Sequence, residues 1–164
     1  MSLREKTDSR IIPLKNEYYT PACITDALGA FDLDPCAPLY QHRRIAEREF
    51  NLNEDGLKRP WAGRVWCNPP FTHPECRKFV EKMAAHGDGI LLLPNRSFDS
   101  AWFQDYIFDK ASAIIFLRGR IVFDRSPGVK SGNRAPTGHI LVAYGVWNAE
   151  RLKESGLEGK FVWL

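Results

Sequence analysis

Short apolar runs alternate with longer amphipathic stretches along this chain. The runs are rich in branched and aromatic side chains and are bounded by glycine, proline or charged residues, a pattern that predicts strands. The run "GILLLP" is continuous, as in a strand that is buried on both faces of a parallel sheet. The predicted strands are "FDLDP" (31–35), "GRVWCN" (63–68), "GILLLP" (89–94), "SAIIFLRG" (112–119), "RIVFD" (120–124) and "HILVAYGVW" (139–147).

The amphipathic stretches predict helices. The first, "TPACITDALGAF", has Thr20 as its expected cap, Pro21 at the first helical position and Gly29 near its end. The others are "QHRRIAEREF" (41–50), "PECRKFVEKMAAHGDG" (74–89), "DSAWFQDYIFDKA" (99–111) and a short helix near 148–155, after which "KFVWL" closes the chain.

Strands that alternate with helices indicate an α/β protein with a mostly parallel sheet. The segments 112–119 and 120–124 follow each other so closely that they predict a bend or hairpin, and antiparallel strands are expected at one edge of the sheet. Residues 125–137 have the composition of a loop, and residues 1–16 show no periodicity and are expected to form a loose N-terminal arm. A length of 164 residues favours a single domain, 1–164.

The composition is that of an ordinary globular protein, with 44% hydrophobic and 26% charged residues. No apolar run approaches the length of a membrane span and the N-terminus carries no apolar signal segment, so we expect a cytoplasmic protein with no membrane partner. The four cysteines form no CxxC pair. Cys67, His73 and Cys76 match no common zinc spacing, so no metal site is expected.

Basic residues are concentrated late in the chain. The net charge of +3 permits nucleic-acid binding without requiring it. A solvated loop and a DNA-contacting loop would have the same composition, and both interpretations stay open at this point. The candidate DNA contacts are Arg118, Arg120, Arg125, Lys130 and Arg134.

A stiff loop, "NPPF" (68–71), follows the predicted strand 63–68. The prolines have no N–H to satisfy the carbonyl before them, so the Asn68 side chain and that carbonyl are two fixed acceptors suited to an exocyclic amine. Phe71 would stack on a planar base, although a loop corner with a core phenylalanine is equally consistent. Ligands of open α/β sheets bind beyond the carboxyl ends of the strands, which predicts that Asp34 and Pro35 lie at the same edge.

Four segments in this order resemble the phage-type DNA N6-adenine methyltransferase (Dam) family. The resemblance covers about residues 17 to 145 and implies a compact Rossmann-like methyltransferase fold, S-adenosylmethionine as cofactor and double-stranded DNA as substrate. The segments are "YYTPACITDALGAFDLDPCAP", "EDGLKRPWAGRVWCNPPF", "LLLPNRSFDSAWFQ" and "FLRGRIVF".

The resemblance also implies roles for individual residues. Asn68, Pro69, Pro70 and Phe71 match the catalytic loop, in which the asparagine and the first proline engage N6 and the aromatic ring stacks on a flipped-out adenine. Asp34 and Pro35 resemble the strand-end element whose carboxylate meets the amino group of the cofactor. The remaining cofactor-binding positions are Tyr19, Thr20 and Pro21, which resemble the element at the methionine end, and Asp55, which resembles an acid that bonds the adenine or ribose.

The chain departs from the broader methyltransferase pattern in two respects. "DPCAPLYQ" has no G-x-G turn, so Ala37 and Pro38 would cradle the cofactor, and only 34 residues separate Asp34 from Asn68. That spacing is short for two strand–helix units and predicts that one strand is reduced or missing. The acid that would bind the ribose would be lost with it, and Glu47 and Glu49 are the candidate substitutes.

Several functions remain open on the sequence. The same loop serves methylation of cytosine N4, RNA adenine or a protein glutamine, and a noncatalytic DNA-binding module that has lost cofactor affinity is a further alternative. A plain nucleotide-binding protein is disfavoured because there is no GxxxxGK phosphate loop. A phage or prophage origin and a homodimer are expectations from the family and from the small size of the chain.

Overall fold

A single seven-stranded mixed sheet forms the centre of the protein. The computed structural model describes residues 18–40, 43–126, 129–130 and 134–164, with the backbone alone for 125, 126, 129 and 130. Its strands are β1 Phe31–Asp34, β2 Ala46–Glu49, β3 Val65–Cys67, β4 Gly89–Pro94, β5 Ala113–Leu117, β6 Asp124–Ser126, β7 Val129–Lys130, β8 His139–Tyr144 and β9 Gly159–Trp163. Its helices are α1 Ala22–Leu28, α2 Glu75–His86, α3 Ala101–Phe103, which continues into a π-helical turn at Gln104–Phe108, and α4 Val146–Glu154.

The sheet has a parallel half and an antiparallel half. Its strand order is β2-β1-β3-β4-β8-β5-β9, and β6 pairs separately with β7. The first four strands are mutually parallel, whereas β8 is antiparallel to both β4 and β5, and β9 is antiparallel to β5. This arrangement confirms the predicted α/β class and is compatible with a Rossmann-like methyltransferase fold.

Both faces of the sheet are covered, so its central strands are buried on both sides. All six residues of β4 and all six of β8 are buried, as their continuous apolar runs predict. On one face the core joins Ile24 of α1 and Leu152 of α4 to Trp66 and Leu141. The other face packs the apolar side of α2 and Phe103 against Leu33 and Leu91. Each such fully buried side chain contributes about 1.5–3 kcal/mol to folding.

The segment between β1 and β3 confirms the predicted shortening. Within its described residues, 35–40 and 43–64, β2 is the only strand and there is no helix. Irregular turns at 51–59 take the place of a second unit. The predicted helix over 41–50 is therefore wrong in its described part, where β2 pairs in parallel with β1 through Phe31 and Ala46. The open edge of β1 offers a full ladder of hydrogen bonds, which overrides the helical preference of these charged residues.

Other local predictions also need correction. The strand predicted over 120–124 does not pair with β5. Its last residue, Asp124, begins β6, and Ile121 and Phe123 before it are buried by side-chain packing. The expected loop 125–137 contains part of the β6–β7 pair. Strand 139–147 ends at Tyr144, because Gly145 has φ 86° and α4 begins directly after it.

The start of α1 differs from the prediction by one residue. Pro21 is the N-cap rather than the first helical residue, and no side chain caps the helix. The Thr20 hydroxyl instead accepts a hydrogen bond from Asn68. The predicted helix 74–89 is confirmed as α2, which ends at Gly87 in the left-handed conformation. In the described residues, no helix combines the length and apolar character needed to cross a bilayer.

Candidate active site

The two strand-end motifs meet at one edge of the sheet. Asp34 ends β1, Asn68 follows β3, and the two strands are parallel neighbours paired through Leu33 and Val65. Their carboxyl ends therefore lie side by side, as the topology rule predicts. Asp34 and Asn68 line one small cavity of about 20 Å³, together with Thr20, Arg43 and Trp66.

A larger cleft adjoins this cavity. It has a volume of about 610 Å³, within the range of small-molecule and cofactor sites. Tyr18 and Asn68 line both spaces. The sequence-predicted residues that line the cleft are Pro35, Ala37, Pro38, Asp55, Asn68, Pro69 and Pro70.

Asn68 has a fixed orientation. Its Nδ2 donates to the Tyr18 carbonyl and to the Thr20 hydroxyl, both at 3.2 Å. A carbonyl only accepts, so the atom facing Tyr18 must be the amide nitrogen. In the described part of the chain, no donor bonds the Asn68 Oδ1. The strand-end asparagine therefore keeps its acceptor available beside the cleft.

Asp34 is a buried carboxyl with no cationic partner among the described residues. It is 2% exposed, and its Oδ1 accepts a hydrogen bond from the Cys36 N–H at 3.0 Å. Burial raises the pKa of Asp34 to about 8, and the charge on Glu49 adds to the increase. Among the described residues, no ion pair involves Asp34. A ligand that brings an ammonium group into this cavity would favour the ionised carboxylate and so lower this pKa.

Trp66 and Arg43 complete the small cavity. Trp66 is fully buried and its Nε1 has no acceptor in the described residues. Arg43 is held by the Thr25 hydroxyl at 2.9 Å and by the Thr20 carbonyl at 3.3 Å. A buried indole N–H without a partner calls for a water or a ligand oxygen. Sequence reasoning did not single out Trp66, because its apolar neighbours indicate only a core position.

The two adjacent tyrosines have different environments. Tyr19, the sequence-predicted residue, is 5% exposed and its hydroxyl donates to the Tyr40 carbonyl at 2.9 Å. Tyr18 is 47% exposed and its ring is stacked on Phe71, with centroids 6.4 Å apart and an interplanar angle of 18°. Tyr19 lines the small cavity but not the cleft, whereas Tyr18 lines both. Neighbouring residues of an extended segment point in opposite directions, so sequence alone could not decide between them.

Phe71 belongs to an aromatic cluster at this edge. Its ring contacts Phe123 and His139 in addition to Tyr18, and its carbonyl accepts from Arg96 at 2.8 Å. Burial and then the charge of Arg96 lower the pKa of His139 to about 4. The imidazole is therefore neutral at physiological pH, so this cluster is an uncharged platform.

The outer wall of the cleft depends on a close contact between Gly56 and the Pro35 carbonyl, which sequence reasoning did not single out. Asp55 has φ 54° and forms an ion pair with Lys58 at 3.0 Å, and its hydrogen bond from Lys58 lowers its pKa. A Cβ on Gly56 would lie 1.9 Å from the Pro35 carbonyl oxygen, so only glycine fits there. Trp61 Nε1 donates to the Gly56 carbonyl at 2.8 Å and fixes the wall.

The candidate ribose acids of β2 do not reach this wall. Glu49 Oε1 accepts from the Ile45 N–H at 2.9 Å, and Glu47 is exposed. Of the described acidic residues, those that line the cleft are Asp55 and Glu75. Of the acidic residues that were predicted to bind the adenine or ribose, Asp55 is therefore the one that lines the cleft.

The predicted DNA-contacting residues are only partly described. Arg118 and Arg120 are exposed directly after β5, which runs parallel to β4 and so ends at the same edge as β1 and β3. Arg134 is also exposed. Arg125 and Lys130 lie on β6 and β7, and their side chains are outside the described part of the structure.

Two cysteines near the site, Cys67 and Cys76, are poor nucleophiles. Burial raises the pKa of Cys67 well above its ordinary value and that of Cys76 to about 11. In the described ranges, no group of three or more His, Cys, Asp or Glu residues is placed to hold a metal ion.

Comparison with known proteins identifies the family. The model of the family described as DNA N-6-adenine-methyltransferase (Dam) matches residues 12–157 of the 164. No curated protein and no solved structure shows significant similarity to the chain. The matched range includes both strand-end motifs, the cleft wall and the aromatic cluster. The chain belongs to the DNA N-6-adenine-methyltransferase (Dam) family.

Proposed function

We propose that this protein uses S-adenosylmethionine to methylate N6 of an adenine that has been flipped out of double-stranded DNA. The observation that carries the proposal is the Asn68 side chain, whose nitrogen is bonded on the protein side and whose oxygen has no donor among the described residues. It lines the same small cavity as the buried Asp34 carboxyl and Tyr18, whose ring is stacked on Phe71. Family membership supports adenine in DNA over cytosine, RNA or glutamine.

The residues present fit the cofactor. A volume of about 610 Å³ suits an adenosine-sized ligand. The buried Asp34 carboxyl would bind the α-amino group, and the unpartnered Trp66 Nε1 would donate to the carboxylate. Asp55 on the cleft wall would bond the adenine or ribose, while Ala37 and Pro38 would line the position of the absent glycine-rich turn.

The catalytic loop would hold the target amine in a fixed polar environment. When bound, S-adenosylmethionine supplies an electrophilic methyl group. The Asn68 Oδ1 would accept one N6 proton, and the Asn68 carbonyl, which is followed by Pro69, would accept the other. Holding both protons in this way leaves the nitrogen lone pair directed away from the ring. Alignment and fixed acceptors of this kind are the usual protein contributions to group transfer.

The aromatic pair would receive the flipped base. Unstacking a base from duplex DNA costs a few kcal/mol. Stacking on an aromatic ring contributes about 1–3 kcal/mol per base, so Tyr18 and Phe71 together would offset much of that penalty. Arg118, Arg120 and Arg134, with Arg125 and Lys130, are the proposed contacts to the DNA backbone.

Transfer of tritiated methyl groups from S-adenosylmethionine to unmethylated duplex DNA tests the proposal. We expect Asn68→Ala to reduce the rate by at least about 10²–10³-fold, the usual effect of removing one group that stabilises developing charge. Asn53→Ala is the matched control, because Asn53 is exposed and does not line the cleft. Calorimetry should show that both variants still bind the cofactor.

The other outcomes separate the alternatives. Label on cytosine N4 instead of adenine N6, or transfer to RNA or to a glutamine-containing protein but not to DNA, would replace the substrate class. Cofactor binding with no transfer to any of these acceptors would refute the proposed chemistry. A parent protein that binds duplex DNA without binding S-adenosylmethionine would be a noncatalytic binding module.

A further inference from the structure

The two edges of the sheet are protected differently. At the β2 edge, Arg44 donates through Nε to the Ala46 carbonyl at 3.1 Å and through Nη2 to the Glu47 carbonyl. This guanidinium and the charged residues of β2 block the approach of another strand. The β9 edge has no such cover from the described residues, and Val162 and Trp163 there are 38% and 45% exposed.

The hydrogen-bond pattern shows which groups β9 presents outward. The Leu164 N–H donates to the Ser112 carbonyl, and the Arg118 N–H donates to the Glu158 carbonyl. Hydrogen-bonded pairs alternate along an antiparallel ladder, so Lys160 and Val162 also bond β5. The N–H and C=O groups of the intervening residues, Gly159, Phe161 and Trp163, therefore face away from the sheet.

We propose that β9 pairs with β9 of a second copy of this chain in an antiparallel, two-fold symmetric ladder. The register that pairs every outward-facing residue places Phe161 opposite its own copy and Gly159 opposite Trp163. It satisfies the backbone groups of all three residues on each strand. An antiparallel pair of identical strands is self-complementary, so a two-fold axis at Phe161 closes the assembly at a dimer.

The side chains favour this register. Gly159 is required by its close approach to the Phe116 carbonyl of β5, and it presents no side chain that would oppose Trp163 across the ladder. Lys160 lies opposite Val162, so no like charges face each other and the lysine stem covers an exposed apolar residue.

The dimer would be a continuous sheet with its two clefts at opposite edges. The two-fold axis reverses strand direction, so the carboxyl ends of β1 and β3 point one way in one copy and the opposite way in the other. Each cleft keeps its own lining, and dimerisation would leave the chemistry of each site intact.

A charge exchange at the paired positions tests both the surface and the register. Val162→Lys places a lysine opposite Lys160 twice per dimer, and we expect the dimer dissociation constant to rise about tenfold, measured by sedimentation over a concentration series. Val162→Glu removes the same valine but puts a carboxylate opposite Lys160, so it should leave the dimer as strong or stronger. Lys160→Glu combined with Val162→Lys should restore the parent affinity.

Amide hydrogen exchange provides a second measurement that is independent of the substitutions. In the dimer, the outward amides of Phe161 and Trp163 should be protected, and dilution to the monomer should expose them. The inward amides of Lys160 and Val162 should stay protected in both states. A parent protein that is monomeric at every concentration, or a dimer equally affected by both Val162 variants, would overturn the proposal.

Discussion

The two halves of the sheet differ in what they bury. The antiparallel half, β8, β5 and β9, buries an almost wholly apolar set, with His139 at its end the main exception among the described residues. Among the described residues, the parallel half buries Asp34 without a cation and the Trp66 Nε1 without an acceptor, whereas in the strands of the antiparallel half the buried side-chain atom without a partner is the His139 Nδ1. Each unsatisfied buried polar group destabilises a fold by about 1–3 kcal/mol. The comparison indicates that the antiparallel half mainly supplies stability, while the parallel half buries polar groups that a ligand could satisfy.

Truncation of one buried leucine in each half should separate the contribution of that half to stability from its contribution to cofactor binding. Leu141→Ala in β8 and Leu33→Ala in β1 both remove a fully buried side chain and should each lower the free energy of unfolding by about 2–5 kcal/mol. Leu33 immediately precedes Asp34, so its truncation should also weaken S-adenosylmethionine binding. Urea unfolding and calorimetry below the unfolding midpoints measure the two effects. An equal loss of cofactor affinity in Leu141→Ala would break the comparison.

Asp34→Asn should sharpen the comparison, because it improves stability while it damages the site. The pKa of Asp34 is about 8 in the folded protein against an ordinary value of 3.8. Between these values the unfolded chain releases a proton that the folded protein keeps, so the parent loses stability as pH rises. Asparagine does not titrate. The advantage of the variant should grow by on the order of 1–3 kcal/mol from pH 5 to pH 8, measured by urea unfolding.

The same substitution should weaken binding of the cofactor at least tenfold, because the cavity loses its only proposed partner for the ammonium group. Asp105→Asn, an exposed carboxyl before β5, is the control and should change neither quantity. A stability difference that is flat across this pH range would show that Asp34 is not the group that titrates.

The smallest effects should distinguish the adjacent tyrosines. Tyr18→Leu removes the ring stacked on Phe71 and should weaken binding of DNA with an unpaired target adenine by about 1–3 kcal/mol, with little change in stability. Tyr19→Phe removes the hydroxyl bonded to Tyr40 and should lower the unfolding free energy by about 1 kcal/mol, with DNA binding unchanged. Fluorescence titration measures DNA binding by the two variants, and thermal unfolding measures their stability. If Tyr19→Phe weakened DNA binding and Tyr18→Leu did not, Tyr19 would be the tyrosine that contacts the base.

Much of this architecture could be predicted from patterns that are local in sequence. The run Gly89–Pro94 and the apolar face and terminal glycine of α2 specify their elements without outside help. The convergence of Asp34 and Asn68 followed from a general rule about parallel strands. The resemblance to the family's motifs then predicted methylation of adenine N6, and the family match is consistent with that prediction.

The missed features depend on partners that are distant in the chain. Ala46–Glu49 forms a strand because β1 has a free edge, which no local propensity reveals. Thr20 bonds Asn68, 48 residues away, instead of capping α1. Trp66 and Tyr18 became site candidates only once the cavity was assembled around them. Sequence patterns therefore located the motifs, and the fold decided which neighbouring side chains serve them.

The irregular wall of the cleft has a consequence for how such a small protein can change. Its turns at 51–59 carry no strand or helix, and Leu52 at the tip is 73% exposed. Exposed loop tips tolerate insertions because no ladder or core packing has to be rebuilt. New residues inserted there would extend from the rim of the site while Gly56 and Trp61 hold its base. The wall is therefore a suitable position at which to graft an additional module beside the cleft.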